Sequence, residues 1–419
     1  MKKEFVLSEL ALNGGPKVRA KAFPGRGLLG PEEKAAVDAL FDEAIATGNA
    51  FGYGGPAEEA YCREFAGFLG GGWADAVNSG TSAVFVALHA LNPEPFTEII
   101  VSPVTDPGGI MPIVMLNCVP MIADTEPGSY NVGPEQVAEL ISERTSAILI
   151  AHIGGEPVNI EPIAEIARKH KVPLVEDCAQ AHGARINGRL LGTFGDIAAF
   201  STMFGKHHCT GGQGGVVFTR NERLYREARQ ASDRGKPFGL PAGSTNCRAS
   251  LNLNLNDFSA AIGRVQLKKL PGIVARRQEF VSLLREGFRG LKAVSIPSGI
   301  PGAEPSYWFL RLSFHPEAVS CSRDTFLKSL AAEGIPAGSY PGTLPQDMDW
   351  YRNRRVFGRS GLPWTSPLYK GDPARQFLCP NARKAAGSLI RLETYESWGR
   401  PEAEDIIAAF RKVESAYSY

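Results

Sequence analysis

The sequence predicts an α/β fold: a mostly parallel central sheet flanked by helices, with a smaller C-terminal α+β domain. Two observations carry that expectation. From position 73 to 219, short apolar runs alternate with helical stretches of about ten residues, the pattern of repeated βαβ units. The runs are almost continuously apolar, as strands buried on both faces require.

The elements follow in order. The first thirty residues are rich in Gly, Pro and basic residues, including Gly14-Gly15-Pro16 and Pro24-Gly25-Arg26, and read as an extended arm. After Pro31, the residues Val37, Leu40, Phe41, Ala44 and Ile45 recur at helical spacing on one face, and Gly48 supplies a stop. A Gly-rich loop at 52–56 leads into an amphipathic helix near 57–68. Strands are predicted at 74–77, 99–101, 119–123, 147–151, 173–175, 197–200 and 216–219. Helices fall near 82–91, 109–116, 134–143 and 161–170, the third with Val137, Leu140 and Ile141 inward. A long helix with a basic face (Lys268, Lys269, Arg276, Arg277) covers 257–290. Beyond it come a strand at 307–314, a helix at 323–333, a loop-rich stretch to about 380, a strand at 389–392 and a last helix at 401–415. The expected division is an arm at 1–30, a large domain at 31–256, and a linker helix with a small domain at 257–419.

Composition excludes several classes of protein. Lys and Arg total 45 against 44 for Asp and Glu, so the net charge of +1 advertises neither a nucleic-acid nor a membrane partner. The seven cysteines are odd in number and form no CxxC pair, which argues against a disulfide framework or a zinc ribbon and for a reducing, cytoplasmic home. Met1-Lys2-Lys3-Glu4-Phe5 lacks the apolar core of a signal peptide. No stretch approaches the roughly 18 apolar residues of a membrane span.

Three motifs carry chemistry. Asn78-Ser79-Gly80-Thr81-Ser82 lies between a strand and a helix, where free N–H groups and hydroxyls make an anion cradle. Ordinary Ser/Thr capping explains the same residues. In Glu176-Asp177-Cys178-Ala179-Gln180, the acids stand at the carboxyl end of a buried strand, where α/β proteins place ligand-facing groups. A helix cap or a solvated loop acid is the plain alternative. In Ser201-Thr202-Met203-Phe204-Gly205-Lys206, the lysine follows a buried strand and precedes four glycines within 211–215. A desolvated lysine has a lowered pKa and forms Schiff bases, and glycines let backbone approach a flat ligand. The alternative is a surface lysine on a flexible loop. His207, His208 and Cys209 do not have the spacing of a metal site, so no metal is expected. His152-Ile153-Gly154-Gly155 either lines the pocket or holds a structural histidine. The aromatic region of Tyr340, Trp350 and Trp364 either shapes an acceptor site or packs a loop.

In this order and spacing, the motifs resemble fold-type I pyridoxal-phosphate (PLP) enzymes, and most closely the DegT/DnrJ/EryC1/StrS family of sugar and cyclitol aminotransferases. The stretches 10–17, 52–56 and 260–267 resemble that family's N-terminal arm, substrate loop and linker-helix opening. The resemblance implies that Lys206 is the Schiff-base lysine and that Asp177 pairs with the pyridinium nitrogen. It implies that Gln180 lies near the phenolic oxygen, and that Gly80, Thr81, Ser82 and Ser201 hold the phosphate. Asn252 then reaches the phosphate of a neighbouring subunit in a homodimer. The implied partners are an amino donor, L-glutamate, and a keto sugar, nucleotide-linked keto sugar or keto cyclitol as acceptor. A dehydratase of the same family, or a non-catalytic regulatory protein, is the alternative. In the dehydratase branch that keeps free pyridoxamine phosphate (PMP), a histidine replaces the lysine.

Three departures surround the substrate. Asp106, in Pro103-Val104-Thr105-Asp106, stands where the family carries an aromatic that stacks on the ring. Asn254 stands at a customary arginine, with Arg248 nearby. Gln213 stands near a customary glutamate.

Overall fold

Seven strands make the main sheet of the computed structural model, which describes residues 7–419. The opening Met1–Phe5 segment lies outside the described residues. In chain order the strands are β1 (Trp73–Val77), β2 (Glu98–Val101), β3 (Val119–Ile122), β4 (Thr145–Ala151) and β5 (Leu174–Asp177), then a small hairpin of β6 (Arg185–Ile186) and β7 (Arg189–Leu190), then β8 (Ile197–Ser201) and β9 (Gly215–Thr219). The sheet order is β1-β9-β8-β5-β4-β2-β3, with β9 alone running against its neighbours. Successive residues of a strand point to opposite faces, and here both faces are buried. In β4, Ile148 and Ile150 enter the core beneath the helices Pro56–Phe68 and Asp257–Gly287. Ala147, Leu149 and Ala151 enter the core beneath the helix Gly80–Ala90. This double burial explains the unbroken apolar runs.

A second, antiparallel sheet follows the long helix Asp257–Gly287. It contains β10 (Val294–Ser295), β12 (Phe309–Phe314), β13 (Ala337–Gly338) and β14 (Leu389–Glu393), in the order β10-β12-β14-β13. Helices Arg323–Ala332 and Arg400–Tyr417 cover it, with Phe280, Phe326, Phe410 and Leu284 at the centre of their shared core. The short β11 (Ala303–Glu304) leaves this lobe and pairs with β6.

Two expectations change in detail. The helix predicted over 134–143 stops at Ala138. The chain turns early because the Ser142 hydroxyl and the Arg144 guanidinium both bond Glu98, a buried carboxylate at the start of β2. The helix Pro31–Thr47 forms as predicted, with Gly48 left-handed at its end. Its apolar face is not fully covered, since Phe41 is 47% and Ile45 79% exposed.

The loop-rich stretch after Tyr340 runs back over the main sheet. Its Tyr369 hydroxyl donates to Glu98 Oε1 at 3.0 Å. Further on, Asp124 just past β3 accepts from the backbone N–H groups of Asn381 and Ala382, both at 2.9 Å, and so caps the helix Pro380–Ser388.

Candidate active site at the carboxyl end of the parallel strands

The ends of β1, β5 and β8 open on one cavity of about 250 Å³, lined by Gly80, Thr81, Asp106, Asp177, Ser201 and Lys206 among others. This is the strand end at which open α/β sheets bind ligands. Gly80 begins the helix that leaves β1, and Ser79 caps it by accepting from Ser82 N–H at 3.0 Å. A Cβ on Gly80 would fall 2.5 Å from Ser201 Cβ, so only glycine lets this turn meet the end of β8. The capping reading holds for Ser79, which also lines the cavity. Ser79 and Ser82 serve the helix, the Ser82 hydroxyl turning back to Asn78 Oδ1 at 2.6 Å. Gly80, Thr81 and Ser201 line the cavity.

Asp177 ends β5, is 8% exposed, and accepts from Ala179 N–H at 2.9 Å. Burial pushes its carboxyl upward, against that hydrogen bond and the charge of Lys206. Its neighbour Glu176 points to the other face and anchors the strand. It accepts from the N–H groups of Gly192, Phe194 and Gly195. It also faces His152 Nε2 at 3.3 Å. His152 Nδ1 accepts from Val158 N–H, so Nε2 carries the proton toward Glu176. His152, Glu176 and Cys178 place ligating atoms within 4.8 Å of one another, yet those bonds already use the carboxylate and the imidazole. His152 is thus a structural residue.

Lys206 is 8% exposed, and burial pulls its amine down to about 8 while Asp177 and Asp106 resist. Its Nζ lies 4.0 Å from the centroid of the Trp308 ring, whose indole N–H donates to the Gly205 carbonyl at 3.0 Å. Arg26, from the arm, donates to the carbonyls of Lys206 and His207 at 2.8 and 3.3 Å while paired with Glu396. The following histidines are packing groups. His207 Nε2 meets the Ser306 carbonyl at 3.1 Å, and His208 lies between Tyr61 and His182. The last two glycines of the run pack against protein, a Cβ on Gly215 falling 2.4 Å from the Ser79 carbonyl oxygen, while Gly212 has no atom within 4 Å of that place.

Gln180 sits beside the cavity. Its Oε1 accepts from Gly154 N–H at 2.8 Å, which fixes the amide and turns Nε2 to the Tyr340 hydroxyl at 3.3 Å. Asn252 is not brought into this cavity. It is exposed and accepts from Asn254 Nδ2 at 2.8 Å. Arg248 bonds Glu227 and Asn92. Gln213 does line the cavity. Asp106 stands at the mouth, its Oδ1 accepting from Gly108 N–H at 2.9 Å. Gly108 and Gly109, not a ring, lie beside Thr81 and Asp177, where added Cβ atoms would fall 2.3 Å from Thr81 Oγ1 and 3.2 Å from Asp177 Oδ2.

Sequence reasoning missed Arg26 and Trp308. Both lie about a hundred or more positions from the lysine they touch, and no local pattern marks either.

The profile of the DegT/DnrJ/EryC1/StrS aminotransferase family matches residues 31–411. The chain belongs to that family. The aminotransferase is 31% identical, over 96% of its length and 97% of the relative's, to L-glutamine:2-deoxy-scyllo-inosose aminotransferase of Micromonospora echinospora. It is 34% identical to dTDP-4-dehydro-2,6-dideoxy-D-glucose 3-dehydratase of Saccharopolyspora spinosa, over 61% of this chain and 62% of that relative, less than two thirds of its length. Among solved structures, the aminotransferase TlmJ from Streptoalloteichus hindustanus superposes with a TM-score of 0.75 at 26% identity, over 93% of this chain and 97% of the other.

The aminotransferase uses pyridoxal 5′-phosphate. The donor set of the cavity fits that group: one buried amine with a lowered pKa, one buried carboxylate, and a helix N-terminus flanked by the hydroxyls of Thr81 and Ser201. No helix among the described residues is long and apolar enough to cross a membrane.

Proposed function

We propose that the aminotransferase moves an amino group from an amino acid to the ketone of a sugar or cyclitol. The observation that carries this reading is Lys206, buried and lowered in pKa, in one cavity with Asp177. When bound, pyridoxal phosphate supplies an electron sink for the donor's breaking Cα–H bond. Asp177 holds a proton on the pyridine nitrogen by its negative charge. Lys206 takes the proton from the donor's Cα as general base and returns it as general acid, a role suited to a pKa near the working pH. Gly80, Thr81 and Ser201 hold the phosphate at the helix N-terminus. Gln180 and Tyr340 form a polar edge beside the ring site.

The acceptor class rests on the named relatives, which include an inosose aminotransferase and two GDP-perosamine synthases. L-Glutamine is the donor named for two cyclitol relatives and stands beside L-glutamate as a candidate. Lys206 lines the cavity while the adjacent His207 is turned to the Ser306 carbonyl, which supports amine transfer over the branch in which a histidine replaces the lysine.

The same reading includes a homodimer and a division near residues 30 and 256. Phe41, Phe51 and Phe258 form an aromatic cluster on the partly uncovered helix face, and exposed Asn252 serves a neighbour's site more readily than its own. The experiment is a panel of keto sugars and keto cyclitols with both donors, in wild type and Lys206→Ala, with mass measured by light scattering. Amine transfer lost in the variant, from a dimer, is the expected result. Wild-type turnover by Lys206→Ala would sink the assignment.

A further inference from the structure

We propose that Asp106 selects an acceptor that already carries a positively charged amino group near its ketone. This rests on the aminotransferase reading and narrows its substrate class.

Asp106 is exposed, at the mouth of the cavity that holds Lys206 and Asp177. Oδ1 is tethered to Gly108 N–H at 2.9 Å. No cation among the described residues pairs with the carboxylate, and Oδ2 has no hydrogen-bond partner there. The tether uses one acceptor lone pair and does not need a charge, because the amide oxygen of asparagine would accept the same bond. The charge is therefore left over from the turn's own requirements.

The surrounding groups show where that charge is felt. Lys206, Asp177 and the Tyr340 phenol all respond to it. Among the residues lining the cavity, the charged ones are Asp106, Asp177 and Lys206. Arg391, which also acts on Tyr340, is held by Glu393. In the loaded enzyme Asp177 faces the pyridinium nitrogen and Lys206 works at the reacting carbon, so Asp106 remains unmatched. An unpaired carboxylate at the mouth of a cleft concentrates cations and repels anions. A protonated amine on the acceptor supplies the missing partner, and a carboxylate at the same place is rejected by like charge.

The test uses the holoenzyme and Asp106→Asn, which keeps the tether and removes the charge. Two measurements compare ligands that differ only by amino against hydroxyl: equilibrium binding of a saturated aminocyclitol and its hydroxy counterpart by calorimetry, and single-turnover amine transfer to the two matching keto cyclitols. The expected result is roughly tenfold tighter binding and higher kcat/KM for the amino ligand in wild type. The preference should fall to near unity in Asp106→Asn; any change that the lost charge makes at Lys206 acts on both acceptors alike and cancels in their ratio. An amino preference in Asp106→Asn as large as in wild type, or no preference in wild type, would overturn the role of Asp106. A wild-type enzyme that never accepts an amine from any donor would instead overturn the aminotransferase reading.

Discussion

Arg26 Nη1 donates to the Lys206 carbonyl oxygen at 2.8 Å, joining the N-terminal arm to the backbone of the candidate catalytic lysine. The same guanidinium pairs with Glu396, which also holds Arg277 at 2.7 Å. Arg26→Ala removes charge-assisted bonds from a largely buried place, each worth about 1.5–3 kcal/mol. Glu396 keeps Arg277, so the loss stays near 2–3 kcal/mol and does not reach the cost of a stranded charge. Denaturant unfolding should report that drop. Cofactor retention during dialysis should weaken with it, because the lysine's backbone loses its clamp. Unchanged stability and retention would mean that the arm is passive.

The buried Lys206 amine titrates near 8, so it is half neutral at that pH. An ordinary lysine near 10.4 is about 0.4% neutral there. Loading of the apoprotein with pyridoxal phosphate should therefore accelerate with a midpoint close to pH 8. A midpoint above 10 would place the amine in water.

Trp308 covers that amine with a π face, which favours the charged form. Trp308→Leu keeps an apolar cover and removes the quadrupole. The loading midpoint should fall by about half a unit, the equivalent of roughly 0.7 kcal/mol. A rise would show that the ring acts mainly by excluding water.

Glu58 accepts from Gly54 N–H at 2.5 Å beneath the Gly-rich loop, and burial, with Asp75 and Asp257 nearby, pushes its carboxyl up to about 7. An acid whose folded pKa lies above its unfolded value of 4.3 binds more protons when folded. Its stabilisation is complete below about pH 4 and is lost as pH rises through 7. The loss is on the order of 3 kcal/mol. Glu58→Gln should flatten that part of the stability curve and make the variant the more stable protein at pH 8, as thermal melts between pH 5 and 8 would record. Parallel curves would show that Glu58 is ionised throughout.

The sheet and the acid–lysine pair were legible because their signals are local. An unbroken apolar strand followed by Asp177, or by the turn before Lys206, carries its meaning within a few residues. The helix ending at Ala138 was overextended because Leu140 and Ile141 keep helical spacing, while the demand of Glu98 comes from forty residues upstream. The Ser82 hydroxyl bonds Asn78, a direction that motif position alone does not give. Arg26 and Trp308 were invisible because their partners are set by tertiary folding alone. Asp106 was visible as a departure, but its tether to Gly108 could not be read from sequence.

The bonds from Glu98 to Tyr369 and from Asp124 to the helix Pro380–Ser388 have a consequence for recombination. The lobes look like exchangeable modules joined by one long helix, yet each carries half of two contacts, one buried and one half-buried. A C-terminal lobe without a hydroxyl at 369 leaves Glu98 to Ser142 and Arg144 alone, and one whose helix starts elsewhere leaves Asp124 without the N–H groups it accepts from. Swaps at the linker helix should succeed only when the incoming lobe presents a hydroxyl to Glu98 and a helix N-terminus to Asp124.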